Sequence, residues 1–248
     1  GVTFNVYGQN ENKETFIPFD IIPRIITDME WEKISKGIKQ RVNAINHFLN
    51  DIYNNQEILK SNTIPVELIR NNKAFMTEML NIKPPSGIYN HISGIDLIKT
   101  NKNEFYVLED NVRVPSGVSY MIENRDIMLN LFSEIVSKYI IKEVRNYPKE
   151  LSRILKKSSP RKTKNPKIVV LTPGIYNSAY FEHAFLADQL GVELVEGKDL
   201  CVRDNYLKMR TINGWERIDI IYRRIDDDYL DPLSLNKDSL LGIPGLIE

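Results

Sequence analysis

The sequence holds a single cysteine, Cys201, which excludes an internal disulfide and a thiolate-built zinc cluster. A reducing compartment fits this usage, and Cys201 itself reads as a small, half-buried strand residue. Net charge is also missing. Lysine plus arginine and aspartate plus glutamate stand at 33 each, so no overall field draws the chain to nucleic acid or to an anionic membrane. No run approaches the roughly 20 apolar residues that span a bilayer. The opening Gly1 to Gly8 reads as strand and turn instead of a secretory leader. Internal repeats, low-complexity tracts and the HxxE-type metal spacings are absent as well.

What is present is ordinary globular material: 42% hydrophobic and 27% charged over 248 residues, enough for a core and for one or two domains. Trp31, Ile34, Ile38, Val42, Ile45, Leu49 and Ile52 recur at spacings of three and four and predict a helix over 28–60. Thr27 or Asp28 is placed to cap it. His47 lies on that helix and reads as structural. Further helices are expected over 63–79, from near Pro65, and over 120–142, with Met121, Met128, Leu131, Ile135, Tyr139 and Ile140 as its apolar stripe. The segment 156–167 is basic, polar and proline-containing, and reads as a linker or solvated loop; it lacks an aromatic residue to stack on a base. After it, Ile168 to Leu171 forms a continuous apolar strand, Ala179 to Leu190 a helix ended by Gly191, and Val192 to Val195 another strand. That order is a β-α-β unit with a parallel sheet. Strands are also expected over 200–211 and 215–223, turning at Ile212, Asn213 and Gly214. The division expected is 1–155 as an α+β portion, 156–167 as linker, and 168–248 as a Rossmann-like domain. The apolar last residues and the non-Met start both read as cuts from a longer chain.

The densest chemistry lies between Phe105 and Tyr120. An apolar strand, Phe105 to Leu108, runs into Glu109, Asp110 and Asn111; Arg113 and the turn Pro115, Ser116, Gly117 follow. Hard oxygen donors at a strand end, then a cation, then a Ser-Gly turn suit a Mg²⁺-phosphate site, since Mg²⁺ takes one or two carboxylates and leaves places for water and phosphate. A surface Asx turn is the plainer alternative. Gly94 to Thr100 precedes this strand across a short polar turn, so the two form a hairpin. With Asp96 opposite Glu109, the side chains of Asp96, Glu109 and Asn111 share a face. That register also places Ile98 opposite Val107 and Thr100 opposite Phe105, with Lys102 and Asn103 in the loop. A one-residue slip would send Asp96 to the other face.

These residues, with Pro18 to Arg24, Pro173 to Phe185 and Tyr222 to Asp228, resemble the circularly permuted ATP-grasp ligases, in particular the bacterial group related to glutathionylspermidine synthase. The resemblance covers essentially the whole chain. It implies an α/β fold, an α+β lobe plus a Rossmann-like β-α-β domain, as an incomplete circularly permuted ATP-grasp. It implies ATP and Mg²⁺ as cofactors, with Asp96, Glu109 and Asn111 as metal ligands and Glu109, Asn111 and Arg113 at the nucleotide phosphates. Arg113 and Ser116 match catalytic positions. Ser116, Gly117, Tyr176, Asn177, Ser178, Arg223 and Arg224 would contact substrate, with Gly174 in the same turn. The implied reaction is cytoplasmic: a small-molecule or peptide carboxylate is activated as an acyl phosphate and an amine attacks it. Val114 stands where glutathionylspermidine synthase has a polar residue, which sets glutathione aside as substrate. The family's phosphate-covering glycine loop, lysine and adenine pocket are expected beyond residue 248, so the chain alone is not expected to complete the reaction. A non-catalytic nucleotide- or peptide-binding assembly subunit is the alternative, and a metal-independent α/β binding domain a third. From the residues alone, Glu182 and His183 point in different directions, and Arg223 and Arg224 read equally as an ion-pair loop with Asp226, Asp227 and Asp228.

Overall fold

The computed structural model describes residues 20–102, 104–161 and 163–248, together with two paired strand fragments, β1 (Thr3–Phe4) and β2 (Thr15–Phe16). The rest of the expected opening strand and turn, Pro18 and Phe19 of the N-terminal motif, and Asn103 of the hairpin loop lie outside these residues. The chain forms two compact units, one of residues 24–115 and one of residues 1–23 and 116–248.

In the 24–115 unit the long helix α1 (Asp28–Tyr53) opens with a capping box: the Thr27 hydroxyl accepts from the Glu30 amide, and Glu30 reaches back to the Thr27 amide. The helix stops short of the predicted residue 60. Gln56 takes a left-handed φ of 57°, and the Asp51 carboxylate accepts the Glu57 and Ile58 amides at 2.9 Å each. Asp51 thereby caps a new helix, α2 (Glu57–Lys60). The helix expected over 63–79 shrinks to α3 (Val66–Arg70) and one 3₁₀ turn at Thr77–Met79. Strands β3 (Gly94–Lys99) and β4 (Phe105–Asn111) pair antiparallel as the predicted hairpin. Asp96 does face Glu109, but the register shifts after it. Leu97 pairs with Val107 and Lys99 with Phe105, so the predicted pairs Ile98–Val107 and Thr100–Phe105 do not form. Leu108 is the extra residue of a β-bulge, which bends the strand beside the acidic end.

The other unit begins with α4 (Val118–Leu131), a break at Phe132, and α5 (Ser133–Val136). The predicted helix to residue 142 fails there, and Tyr139 and Ile140, expected in its apolar stripe, are exposed. Helix α6 (Tyr147–Lys157) absorbs the first two residues of the expected linker. Farther along that segment, Arg161 grips Asp219 through two bonds of 2.5 Å. The β-α-β unit is present: β5 (Ile168–Leu171), α7 (Tyr180–Leu190) and β6 (Glu193–Val195), with parallel pairing of β5 and β6. Every β5 residue is buried, as its unbroken apolar run requires. The expected strand over 200–211 splits into β7 (Leu200–Arg203) and β8 (Tyr206–Thr211), because Asp204 and Asn205 both adopt left-handed φ and make a hairpin turn. β9 (Gly214–Arg217) completes this antiparallel sheet, and β10 (Ile220–Arg223) joins β5 to give the parallel order β10-β5-β6. Val169, Leu171, Val195, Leu200, Met209, Ile218, Ile225 and Ile243 form the core. The architecture is thus mixed α/β with open sheets. No helix of the described residues is long and apolar enough to cross a membrane.

Candidate functional site

The acidic hairpin end sits within the 24–115 unit. Strand alternation sends Asp110 one way and Glu109 and Asn111 the other. Asp110 is clamped by Arg41 of α1, with Nε and Nη2 each 2.6 Å from the carboxylate, and this pairing holds its pKa below the ordinary value. Lys99 meets Glu30 of α1 at 2.6 Å. A third brace uses amides. Asn46 of α1 accepts the Tyr89 and Asn90 amides at 2.9 Å each, and Asn90 donates its side chain to the Val112 carbonyl beside the strand end. The hairpin is therefore fixed to the helix at three places while its other face stays in solvent.

On that exposed face Asp96, Glu109 and Asn111 converge. The Asn111 amide nitrogen stands 3.2 Å from Asp96 Oδ2 and 3.1 Å from Glu109 Oε1. Glu109, first through its close contact and then through charge repulsion added to desolvation, raises the pKa of Asp96; Asn111 opposes the shift. Gly94 faces Asn111, and a Cβ there would lie 3.0 Å from the Pro115 side chain and 3.5 Å from that of Asn111, so glycine keeps the triad uncrowded. Among the described residues no group of three His, Cys, Asp or Glu side chains is arranged to hold a metal ion. The triad has two carboxylates and an amide. The amide presents its nitrogen to both carboxylates, so the oxygens that converge here are those of Asp96 and Glu109, the hard donor type that Mg²⁺ takes one or two of.

Arg113 is exposed just past this triad. Val114 adopts φ 47°, a left-handed conformation that a β-branched residue rarely takes and that marks a constrained turn.

The remaining candidates lie in the other unit. Ser116 is exposed, and Gly117 takes φ 116°. The turn after β5 carries Tyr176 and Ser178 exposed, while Asn177 accepts the Ala179 amide at 2.9 Å as a capping turn ahead of α7. The two arginines at the end of β10 diverge. Arg223 pairs with Asp227 at 2.5 Å, at the surface. Arg224 is 3% exposed and donates to Glu182 Oε1 at 3.0 Å. Glu182 Oε2 accepts from the amides of Gly117 and Ser119 at 2.6 and 3.1 Å and from the Ser119 hydroxyl at 3.0 Å. Beside it His183 Nδ1 meets the Thr172 hydroxyl at 2.8 Å. Burial, then the Arg224 charge, lowers the His183 pKa to about 3. A surface cavity of about 290 Å³ in this unit, lined by residues including Val202, Leu207, Pro244 and Leu246, contains none of the candidates.

Sequence reading missed Asn46, Asn90 and Arg41 as braces, and the role of Glu182. The legible signal for Glu182 was a charge inside the apolar run from Tyr180 to Ala187, since a buried charge requires a partner.

A hairpin ending in convergent acidic side chains in one unit and a parallel β-α-β sheet in the other make this a mixed α/β chain. The chain belongs to the circularly permuted ATP-grasp type 2 family, which matches residues 23–248. An uncharacterized protein of Synechocystis sp. is 50% identical over 248 residues, covering 100% of this chain and 52% of the relative. An uncharacterized protein of Mycobacterium tuberculosis is 47% identical over 247 residues, covering 100% of this chain and 44% of the relative. A Frankia casuarinae protein named "Putative glutamate--cysteine ligase 2-2" is 34% identical over 247 residues, covering 98% of this chain and 28% of its own length. The chain thus spans about half the length of the first two relatives.

Proposed function

We propose that this chain contributes the metal- and phosphate-binding part of an ATP-dependent carboxylate–amine ligase of the glutathionylspermidine-synthase-like group, working in the cytoplasm. The convergence of Asp96, Glu109 and Asn111 on one open face of a braced hairpin carries the reading. These three side chains would hold Mg²⁺, which when bound neutralises charge on the phosphates as a phosphoryl group moves. Glu109, Asn111 and Arg113 would orient the nucleotide phosphates, and the planar guanidinium of Arg113 suits a phosphate's oxygens. Ser116 and Gly117, with the turn Tyr176 to Ser178 and Arg223, would orient the acid. The carboxylate takes the γ-phosphoryl group to give an acyl phosphate and ADP; the amine attacks the acyl carbon and phosphate leaves. The acid is a small molecule or a peptide terminus.

The test uses the full-length polypeptide with Mg-ATP, a pool of amino acids and short peptides, and hydroxylamine as surrogate amine. Hydroxamate and phosphate in the wild type, both lost in Glu109→Gln, are expected. Mg-ATP binding with no hydroxamate from any acid would turn the reading to a non-catalytic nucleotide- or peptide-binding subunit.

A further inference from the structure

We propose that Glu182 and His183, adjacent on the first turn of α7, are positioning residues that hold the Ser116–Gly117 turn and the Thr172–Gly174 turn in their working shapes. The inference rests on the ligase reading for what those turns do, and on the geometry within one unit for how they are held.

Helix α4 starts directly after Gly117, a residue with no side chain to satisfy the free amides of the first turn. The missing cap comes from another helix. Glu182 places one oxygen on the Gly117 amide, the Ser119 amide and the Ser119 hydroxyl, and its negative charge meets the positive end of the α4 dipole. Its second oxygen is held by Arg224 from the end of β10. Glu182 is 1% exposed and Ser119 is fully buried, so no water competes for these bonds.

His183 points elsewhere on the same turn. The Gly174 amide donates to the Thr172 hydroxyl at 3.2 Å, and that hydroxyl keeps one hydrogen and one lone pair for a second partner. His183 Nδ1, 2.8 Å away, is that partner. Burial keeps the imidazole neutral, so it meets the hydroxyl through one ring nitrogen without a charge. Gly174 has φ 106°, so the turn leading to Tyr176, Asn177 and Ser178 depends on a backbone shape that this relay fixes.

Two apolar residues would fill the same space at lower desolvation cost, because buried charges and imidazoles are unfavourable unless paired. Here both polar groups end on backbone turns that carry candidate substrate contacts. Tyr120 of α4 stacks on Phe181 at 5.5 Å, so the helix that bears the two residues is itself packed against the helix that Glu182 caps.

Hydrogen–deuterium exchange on peptides covering 116–120 and 172–178, with hydroxamate kinetics in the full-length polypeptide, tests the inference. Glu182→Gln is expected to raise exchange at Gly117 and Ser119 at least tenfold and to leave Gly174 unchanged. His183→Leu is expected to do the reverse, and His183→Asn, which restores a polar partner near Nδ1, to recover most of the protection. Each disruptive variant is expected to lower kcat tenfold or more, with KM for ATP within threefold and with the folded fraction by circular dichroism equal to wild type, because partial unfolding alone would also lower apparent kcat at constant KM. If Glu182→Gln does not fold, the double variant Glu182→Met with Arg224→Met removes both charges and still frees the same two amides. Unchanged exchange, or a uniform rise in both peptides, overturns the holding role. Selective exchange with kcat retained overturns the link to the reaction. Absence of hydroxamate in the wild type overturns the ligase reading alone, and the exchange pattern then decides the holding role.

Discussion

Gly242→Ala should be among the most damaging single-methyl changes in this chain. A Cβ at Gly242 would lie 2.2 Å from the Tyr229 carbonyl oxygen and 2.5 Å from that of Leu230. Both are backbone atoms, so no side chain can swing away. Ordinary contact begins near 3.4 Å, so segments 229–230 and 241–243 must part by about 1 Å, the difference between those separations. They are held by the bond from the Ile243 amide to the Leu230 carbonyl at 2.8 Å, by the Ser239 hydroxyl on the Tyr229 carbonyl at 2.8 Å, and by Ile243, fully buried in the core. Losing one hydrogen bond, at about 1 kcal/mol, and most of the burial of one isoleucine, at about 2 kcal/mol, gives a loss of about 3 kcal/mol. At about 2–4 °C per kcal/mol for a chain of this size, the midpoint falls by about 6–12 °C. Gly37→Ala is the control: it sits exposed in α1 with nothing within 4 Å of its Cβ, and alanine there should stabilise by about 1 kcal/mol. The two tryptophans, Trp31 and Trp215, fall one in each unit, so fluorescence in Trp31→Phe and Trp215→Phe backgrounds reads each unit separately. A Gly242→Ala midpoint within 2 °C of wild type by the Trp215 signal would refute the close approach of these segments.

His183 should make stability pH-dependent. Its folded pKa, about 3, lies below the unfolded value of roughly 6.5; its contribution is complete above that upper value and is lost as pH falls toward the lower one. The slope is at most about 1.4 kcal/mol per pH unit, and His183→Asn should remove it in urea titrations at several pH values between the two. Asp231 behaves likewise at lower pH: burial pushes its pKa up, but amides of Leu233, Ser234, Gly245 and Ile247 hold it below the ordinary value. Its contribution is fully present above the unfolded pKa and is lost as pH falls through the folded one, so Asp231→Asn should cost about 2–3 kcal/mol at pH 7 and progressively less as pH falls below the unfolded value.

The parts of the fold that could be read from the sequence are those where one local rule acted alone. Ile168 to Leu171 is wholly apolar, and it became the fully buried central strand of the parallel sheet. Thr27 and Glu30 have the spacing of a capping box, and α1 began there. Where a side chain served a partner other than its own element, the pattern misled. The apolar period carried the helix reading past residue 53, while Asp51 was already capping the next helix. The stripe reaching to Tyr139 and Ile140 had the helical period, yet both residues are exposed beyond the helix. Spacing cannot tell an apolar residue facing a core from one facing solvent.

The acidic triad was legible for a related reason: alternation along two strands and one pairing suffices to place Asp96, Glu109 and Asn111 together, and the bulge at Leu108 lies on the far side of that pairing. What holds the candidate turns was not legible, because it depends on contacts 63 and 65 residues apart between Glu182 and Ser119 and Gly117, and 42 apart between Glu182 and Arg224. No periodicity reaches that far. Burial supplies the missing constraint: a carboxylate in an apolar helix face must find a cation and donors or be excluded. Given Glu182 among Phe181, Phe185 and Leu186, the search reduces to cations and free amides brought to α7 by the sheet. Strand β10, which Arg224 directly follows, lies beside β5, and the helix that begins at Val118 offers unsatisfied amides. The site's supports are therefore recoverable from the demand each buried charge makes on the fold.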